Sequence, residues 1–469
     1  MGKARKKKEA RPFDMSKYRQ RHLAFHVQYD GGKYHGFADQ LEEEGEETVE
    51  RHIFNALIKL RLITDKKSCQ YSRCGRTDRG VSALGQVIAL KVRSSLPVLN
   101  TSKDDDDNDN DLPCHPGDYL LDNDGRKIFE IDYCSRLNAE LPRAIRVLGW
   151  CSVTPGFSAR FSAASRTYRY FFVKRNLDID AMNTGAAKMV GKHDFRNLAK
   201  MDVSSVSNFE REIYSCEIKS FITSSSSQPE SHSLYMLEIT GIAFLWHQVR
   251  NIMAVLFLIG ERNEQPSIVD ALLNVEKMPA RPEYQMASDY PLVLHRCAFD
   301  NLRFQYQPGP LYSLTNHYEK IWEEHAVAAA QAWNALQILR DCRVPRNQAD
   351  ELYKNMTVNS ISNDGSSSSS SDNNESNSSM VCFGEILDLI RANHYNISSS
   401  SSNGEKQNDY VPLSKRKCAD SYLERVQHLQ GQKRDRYERH ISLTGTAAEA
   451  DPHFFKRMRA EGSVNNAID

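Results

Sequence analysis

The chain has 469 residues, 40% of them hydrophobic, and its 61 Lys and Arg are balanced by 61 Asp and Glu. That length carries a large core and two or three domains, and the zero net charge excludes a uniformly basic or acidic protein while leaving local patches open. Ten cysteines with no C-x-x-C pair argue against a disulfide framework or a structural zinc site. The longest apolar run, Ile252 to Ile259, is too short to span a bilayer, so no membrane partner is expected.

Residues 1–21 read as a disordered basic tail, with Arg5-Lys6-Lys7-Lys8 inside a run from Lys3 to Arg11. Such a run suits an RNA-binding arm, a nuclear address or a merely solvated tail. His22 to Asp30 alternates as a strand and ends in the turn Asp30-Gly31-Gly32. Thr48 to Leu62 carries Val49, Ile53, Leu57, Ile58 and Leu60 at helical spacing, with Thr48 as N-cap. A glycine-punctuated loop around Asp78 follows, then a strand from Gln86 to Val92. This β–α–loop–β order, over residues 22–96, predicts an α+β fold, an α/β sandwich.

Residues 97–127 form an acidic insert containing the run Asp104 to Asp111. The folded pattern resumes over 128–305. It has a helical turn at Leu137 to Leu141 and strands at Val147–Val153, Ser165–Val173, Ile213–Phe221 and Leu234–Gly241. Helices are predicted at Ala181–Val190, Trp246–Gly260 and Ser267–Val275, with a final strand within Leu292–Phe304. The two halves have a loosely similar order, which hints at a duplicated unit. A helical extension occupies 306–345, a Ser-rich low-complexity region with short ordered pieces 346–409, and a docked C-terminal helix 410–440. A free basic helix is the alternative for that last segment. Residues 441–469 read as a tail.

Four places could carry chemistry. In Gly75-Arg76-Thr77-Asp78-Arg79-Gly80 one carboxylate stands between two guanidinium groups, in a loop whose glycines allow close approach of a ligand. Nearby cations favour the ionised acid, so Asp78 is expected to stay charged, with Arg76 and Arg79 ready for phosphate or a base edge. A surface turn with an Asp–Arg ion pair fits the same residues. The strand Arg166-Thr167-Tyr168-Arg169-Tyr170 sends Arg166, Tyr168 and Tyr170 to one face. Interleaved arginine and tyrosine suit RNA, because aromatic rings stack on extruded bases; an ordinary strand with one tyrosine face in the core is the plain alternative. Arg250 begins an almost wholly apolar helix, where a buried cation needs a carboxylate. A structural glutamate or Asp78 itself would serve. His193-Asp194 reads as a turn or cap rather than a catalytic pair. No P-loop, dinucleotide fingerprint or metal-ligand motif is present, so no nucleotide cofactor, other cofactor or metal is expected.

Taken together these residues resemble the TruA family of tRNA pseudouridine synthases. The family's G-R-T-D-x-G-V motif stands at Gly75–Val81, its Y-D-G-x-x-Y-x-G element at Tyr29–Gly36, and its F-S-A-R-F…R-x-Y-x-Y segment at Phe157–Phe161 and Arg166–Tyr170. Its H-D-F element is His193–Phe195 and its F-L-x-H-Q-V-R helix start is Phe244–Arg250. Five motifs in order cover residues 22–304. The finer resemblance is to the eukaryotic branch that modifies tRNA positions 38 and 39. It rests on Phe37-Ala38, Arg73-Cys74, Asn197–Asp202, Leu256–Gly260 and, with less specificity, the segment around Pro412-Leu413 and Ser421–Arg425. The chain departs from the family at the acidic insert, the Ser-rich spacers and Trp246, none of which is expected to touch Asp78, Tyr168 or Arg250.

The resemblance implies two RNA-recognition-like halves with joined, mainly antiparallel sheets around a basic cleft. It implies isomerisation of uridine to pseudouridine at positions 38 and 39 of tRNA, without a cofactor, by a homodimer. Asp78, Tyr168 and Arg250 would be catalytic, and Arg76, Arg79 and Arg166 would bind substrate. Residence in nucleus and cytoplasm follows from the basic N-terminus. A non-catalytic tRNA-binding or tRNA-folding protein on the same fold is the alternative.

Overall fold

A computed structural model describes residues 13–39, 47–96, 119–121, 124–204, 206–222, 232–358, 380–384 and 410–444. The basic run before residue 13, the acidic run 104–111 and the Ser-rich stretches lie outside the described residues.

Strand β1 (Gln20–Tyr29) leads into helix α1 (Val49–Lys59), the two-residue β2 (Ser72–Arg73) and the long β3 (Ser82–Arg93). The Thr48 side chain caps α1 by accepting the Arg51 N–H. After a small hairpin of β4 (Tyr119–Leu121) and β5 (Lys127–Phe129) come α2 (Tyr133–Glu140) and β6 (Ile145–Ser152). The second half runs β7 (Ser165–Val173), α3 (Ile179–Ala187), β8 (Gly191–Asp194), β9 (Glu210–Ile222), β10 (Leu234–Gly241), α4 (Gln248–Gly260), α5 (Ile268–Leu273) and β11 (Leu292–Ala298). The long α6 (Pro308–Asp341) follows, then β12 (Arg343–Pro345), α7 (Arg346–Val358) and β13 (Met380–Cys382), which pairs with β12.

One large sheet has the order β6-β1-β3-β11-β7-β10-β9-β8, with β2 paired on β3. All its pairings are antiparallel except β11 on β3. Two hydrophobic cores sit on it. One gathers Leu23, Phe25, Ile53, Leu57 and Trp150 from the first half. The other gathers Met182, Ile213, Leu237, Ile252 and Leu256 from the second. The seam between them positions the site: β11 lies between β3 and β7, so Ala83, Leu294 and Tyr168 stand side by side.

Four expectations change. The N-terminal tail is shorter than 21 residues, because Phe13 lies under the Arg61 and Arg93 guanidiniums at 5.1 and 5.4 Å and stacks on Tyr18. Such cation–aromatic contacts hold an otherwise polar segment on the surface. The acidic insert contains the β4–β5 hairpin, whose turn uses Gly125 at φ +73°. Helix α4 starts at Gln248 rather than Trp246, because His247 takes a left-handed conformation at φ +59°. The C-terminal segment is an extended strap with two short helices, Tyr422–Gln427 and Gly431–Thr444. It is anchored where the Tyr410 hydroxyl and Leu413 N–H both donate to Glu264.

Candidate active site

The loop bearing Asp78 is held from behind by the Tyr29–Gly36 element. Phe37 donates its N–H to the Thr77 carbonyl at 3.1 Å, Gly80 donates to the Tyr34 carbonyl at 3.2 Å, and the Tyr29 and Thr77 hydroxyls share a 2.7 Å hydrogen bond. Gly36 is glycine for two reasons: its φ is +97°, and a Cβ there would sit 2.9 Å from the Thr77 carbonyl oxygen. From below, the buried Gln86 side chain donates to the Gly75 carbonyl at 2.8 Å and accepts the Gly75 N–H at 3.2 Å. The motif loop is therefore fixed on both sides by chain far away in sequence.

Arg166 does not face a substrate. It is 8% exposed, and its guanidinium donates to the carbonyls of Ile242 at 2.7 Å and Cys74 at 3.1 Å, as well as to those of Ala163 and Arg160. A buried guanidinium stays charged and seeks acceptors, and here backbone carbonyls supply them. Arg166 thus ties β7 to the start of the Asp78 loop, a structural role in place of the expected substrate contact. The opposite face of β7 forms ordinary cross-strand pairs, Arg169 with Glu238 at 2.7 Å and Thr167 with Thr240 at 3.0 Å.

Tyr168 is half-buried, packed edge-on against Phe244 at 5.1 Å. Burial is the main influence keeping its phenol protonated, and the Asp78 charge adds to it. Arg76 and Arg79 are exposed. Arg76 belongs to a cationic group in which it, Arg73 and Arg166 bear on the Arg160 guanidinium, itself lowered chiefly by burial.

The surroundings of Asp78 differ from the expectation. Its side chain is 25% exposed. Burial pushes the carboxyl above the ordinary aspartate value; Arg250, then a hydrogen bond from Trp246, then Lys200 pull it back, and Asp289 opposes them. Arg250 makes no ion pair with Asp78 among the described residues; its Nε donates to the Ala287 carbonyl at 2.9 Å, and its charge acts through space. The direct contact comes from Trp246, whose Nε1–H donates to Asp78 Oδ1 at 3.1 Å. So one departure from the family pattern does touch Asp78. His247 Nε2 lies 3.6 Å from Oδ2. Burial, followed by the Arg250, Lys200 and Arg281 charges, holds its pKa down to about 4, so the ring is neutral at neutral pH.

His193 and Asp194 are the last two residues of strand β8, where a turn or helix cap was expected. Asp194 accepts the Arg196 backbone N–H and the Nε and Nη2 edge of its guanidinium, and His193 Nε2 lies 2.9 Å from the Val190 carbonyl. No group of three or more His, Cys, Asp or Glu side chains that would hold a metal occurs among the described residues. No described helix is long and apolar enough to cross a membrane.

Sequence reading missed Trp246, His247, Lys200, Asp289 and Gln86. The signal for Trp246 was present: a large aromatic at the variable position of an otherwise fixed helix start.

A half-buried carboxylate, hydrogen-bonded at one oxygen, on a loop clamped at the seam of a large, mainly antiparallel sheet fits a class of nucleoside-modifying proteins, and comparison with known proteins narrows it. The sequence profile of the tRNA pseudouridine synthase family matches residues 186–300. A tRNA pseudouridine(38/39) synthase of Bos taurus is 44% identical over 342 residues, 72% of this chain and 68% of its own length. The protein of that name in Saccharomyces cerevisiae is 39% identical over 331 residues, 68% of each chain. A tRNA pseudouridine synthase A of Archaeoglobus fulgidus is 29% identical over 297 residues, 63% of this chain and 91% of its own. The chain belongs to the tRNA pseudouridine synthase family.

Proposed function

We propose that this protein converts uridine to pseudouridine in tRNA, at positions 38 and 39 of the anticodon arm, with Asp78 as the reacting carboxylate. The C1′–N1 bond breaks, uracil turns, C1′ joins C5, and the proton lost from C5 is matched by one gained at N1. Nothing is added or removed, so the reaction needs no cofactor. Attack of the carboxylate on C1′ and its removal of a sugar proton to give a glycal-like intermediate both require Asp78 ionised. The single observation that carries this reading is the environment of that carboxylate: partly desolvated, hydrogen-bonded at one oxygen, and within the field of Arg250 and Lys200. A desolvated anion is more reactive than a hydrated one, and fixed donors keep it charged.

A stem uridine must leave its stack, which costs a few kcal/mol. In this reading exposed Arg76 and Arg79 hold the backbone around the extruded nucleotide, and Tyr168 meets the uracil ring. The names of the eukaryotic relatives support positions 38 and 39. Pairing of two copies is part of the proposal; Tyr312 and Trp322, exposed apolar residues on α6, offer a surface for it, and sedimentation velocity tests it. Residence in nucleus and cytoplasm is supported by the basic run before residue 12, and imaging of a fluorescent fusion tests that.

The deciding experiment maps pseudouridine by chemical labelling in tRNA transcripts treated with wild type or Asp78→Ala. Labelling at 38 and 39 by wild type only, with tRNA binding retained in the variant, is expected, the rate falling about a thousandfold. Tight binding with no pseudouridine from folded wild type would replace this reading with that of a tRNA-binding protein.

A further inference from the structure

Trp246 is 46% exposed, so burial does not place it. Three specific contacts do. Its carbonyl accepts the Lys200 N–H at 2.8 Å. The Lys200 ammonium lies 3.9 Å from the centre of its indole. Its Nε1–H donates to Asp78 Oδ1. The next residue, His247, is a non-glycine residue at φ +59°, a conformation that costs free energy and persists only where neighbouring contacts impose it. That left-handed residue separates Trp246 from the regular turns of α4. A surface tryptophan held only by a lysine would be ordinary; one whose single polar side-chain atom is aimed at the half-buried carboxylate is a different matter.

We propose that Trp246 is a positioning residue for the reaction: its indole N–H holds Oδ1 of Asp78 and leaves Oδ2 as the oxygen presented to the nucleoside. This rests on the reading of Asp78 as the reacting group. His247 Nε2 is 3.6 Å from Oδ2, too far for a good hydrogen bond, so Oδ2 keeps its lone pairs available. The charged and titratable groups facing Asp78 are Arg250 from α4, His247 before it, Lys200 from the loop after β8, Asp289 before β11 and Tyr168 on β7. Beside them, Trp246 donates the side-chain hydrogen bond that the carboxylate accepts among the described residues. Lys200 then has two roles, steadying the indole and lending its charge to the site.

Trp246→Phe keeps a ring and removes the N–H. Loss of a hydrogen bond to a charged acceptor predicts a kcat about ten- to a hundredfold lower with KM nearly unchanged. The acid limb of the pH–rate profile moves to higher pH, because one of the influences favouring ionised Asp78 is gone. A ring that merely packs would leave Trp246→Phe equal to wild type in rate and profile, and that result overturns the proposal. A second measurement needs no RNA. The chain has four tryptophans, so the difference in emission between wild type and Trp246→Phe isolates residue 246. That difference is expected to titrate in the acid range and to lose its titration in an Asp78→Ala background. Emission that does not vary with pH, or that titrates equally without Asp78, overturns the contact. Because this titration stands apart from any tRNA assay, failure to form pseudouridine would count against the proposed function and not be mistaken for failure of the Trp246 contact.

Discussion

Two carboxylates, Glu50 in the first half and Asp78 at the seam, are both withdrawn from water and are treated in opposite ways. Glu50 has a side chain with 0% exposure, and it pairs with Arg73 at 2.7 Å and Lys66 at 2.9 Å. Burial pushes its carboxyl up, but the two cations outweigh burial and hold it below the ordinary glutamate value. Asp78 also has cations nearby, yet none forms an ion pair within 4 Å among the described residues, except for the approach of neutral His247. There burial wins and the carboxyl is raised. Direct contact makes a structural ion pair; charges that make no ion pair leave burial the larger influence, and the carboxyl stays raised. The linkage signs are opposite. Glu50 contributes stability that is present above its unfolded value and lost as pH falls through its lowered folded value. Asp78 binds its proton more tightly when folded, so stability falls as pH rises from the unfolded value toward the folded one.

The largest effect that would break this comparison is at Glu50. Glu50→Ala strands Arg73 and Lys66 around a vacated buried site and should cost about 3–5 kcal/mol in urea unfolding. A loss under about 1 kcal/mol would show that the pair is not structural. Arg166→Met comes next. Removing donors from four backbone carbonyls should cost about 2–3 kcal/mol by the same measurement, while tRNA affinity of the folded protein stays at the wild-type value. Arg76→Ala should do the reverse, weakening binding and its salt dependence with little change in stability.

Arg250→Ala sharpens the contrast through pH. It removes the largest influence lowering the Asp78 carboxyl, so the acid limb of the rate profile should move to higher pH. The rate should fall about tenfold at the acid end and less at alkaline pH, where Asp78 is ionised in either protein. A profile lowered uniformly, with its shape unchanged, would give Arg250 a role other than tuning Asp78. The smallest effect is at Asp78 itself. Asp78→Asn relieves a desolvated charge and keeps an acceptor for Trp246, so at neutral pH the melting temperature should equal or exceed that of wild type although activity is gone. A clear fall would mean that the carboxylate is a stabilising element like Glu50.

The sequence by itself determined the elements and the motif loop. Alternation in Ser165–Val173 and the capped helical spacing after Thr48 are local properties, and the strand boundaries at 165–173 and 234–241 match what the structure shows. The Gly75–Gly80 spacing likewise marked a loop that must accept close backbone neighbours. The tertiary structure decided which groups surround Asp78. Arg76 and Arg79 flank it in the chain, but they lie exposed, and the hydrogen bond instead comes from Trp246, 168 residues away. It also turned Arg166 inward, since four carbonyls from three segments converge there only after the chain before β7, the Asp78 loop and the end of β10 have assembled. Periodicity records which side of an element is apolar. It carries no record of the balance between desolvation and charges brought together across a sheet, and that balance sets the state of the carboxylate.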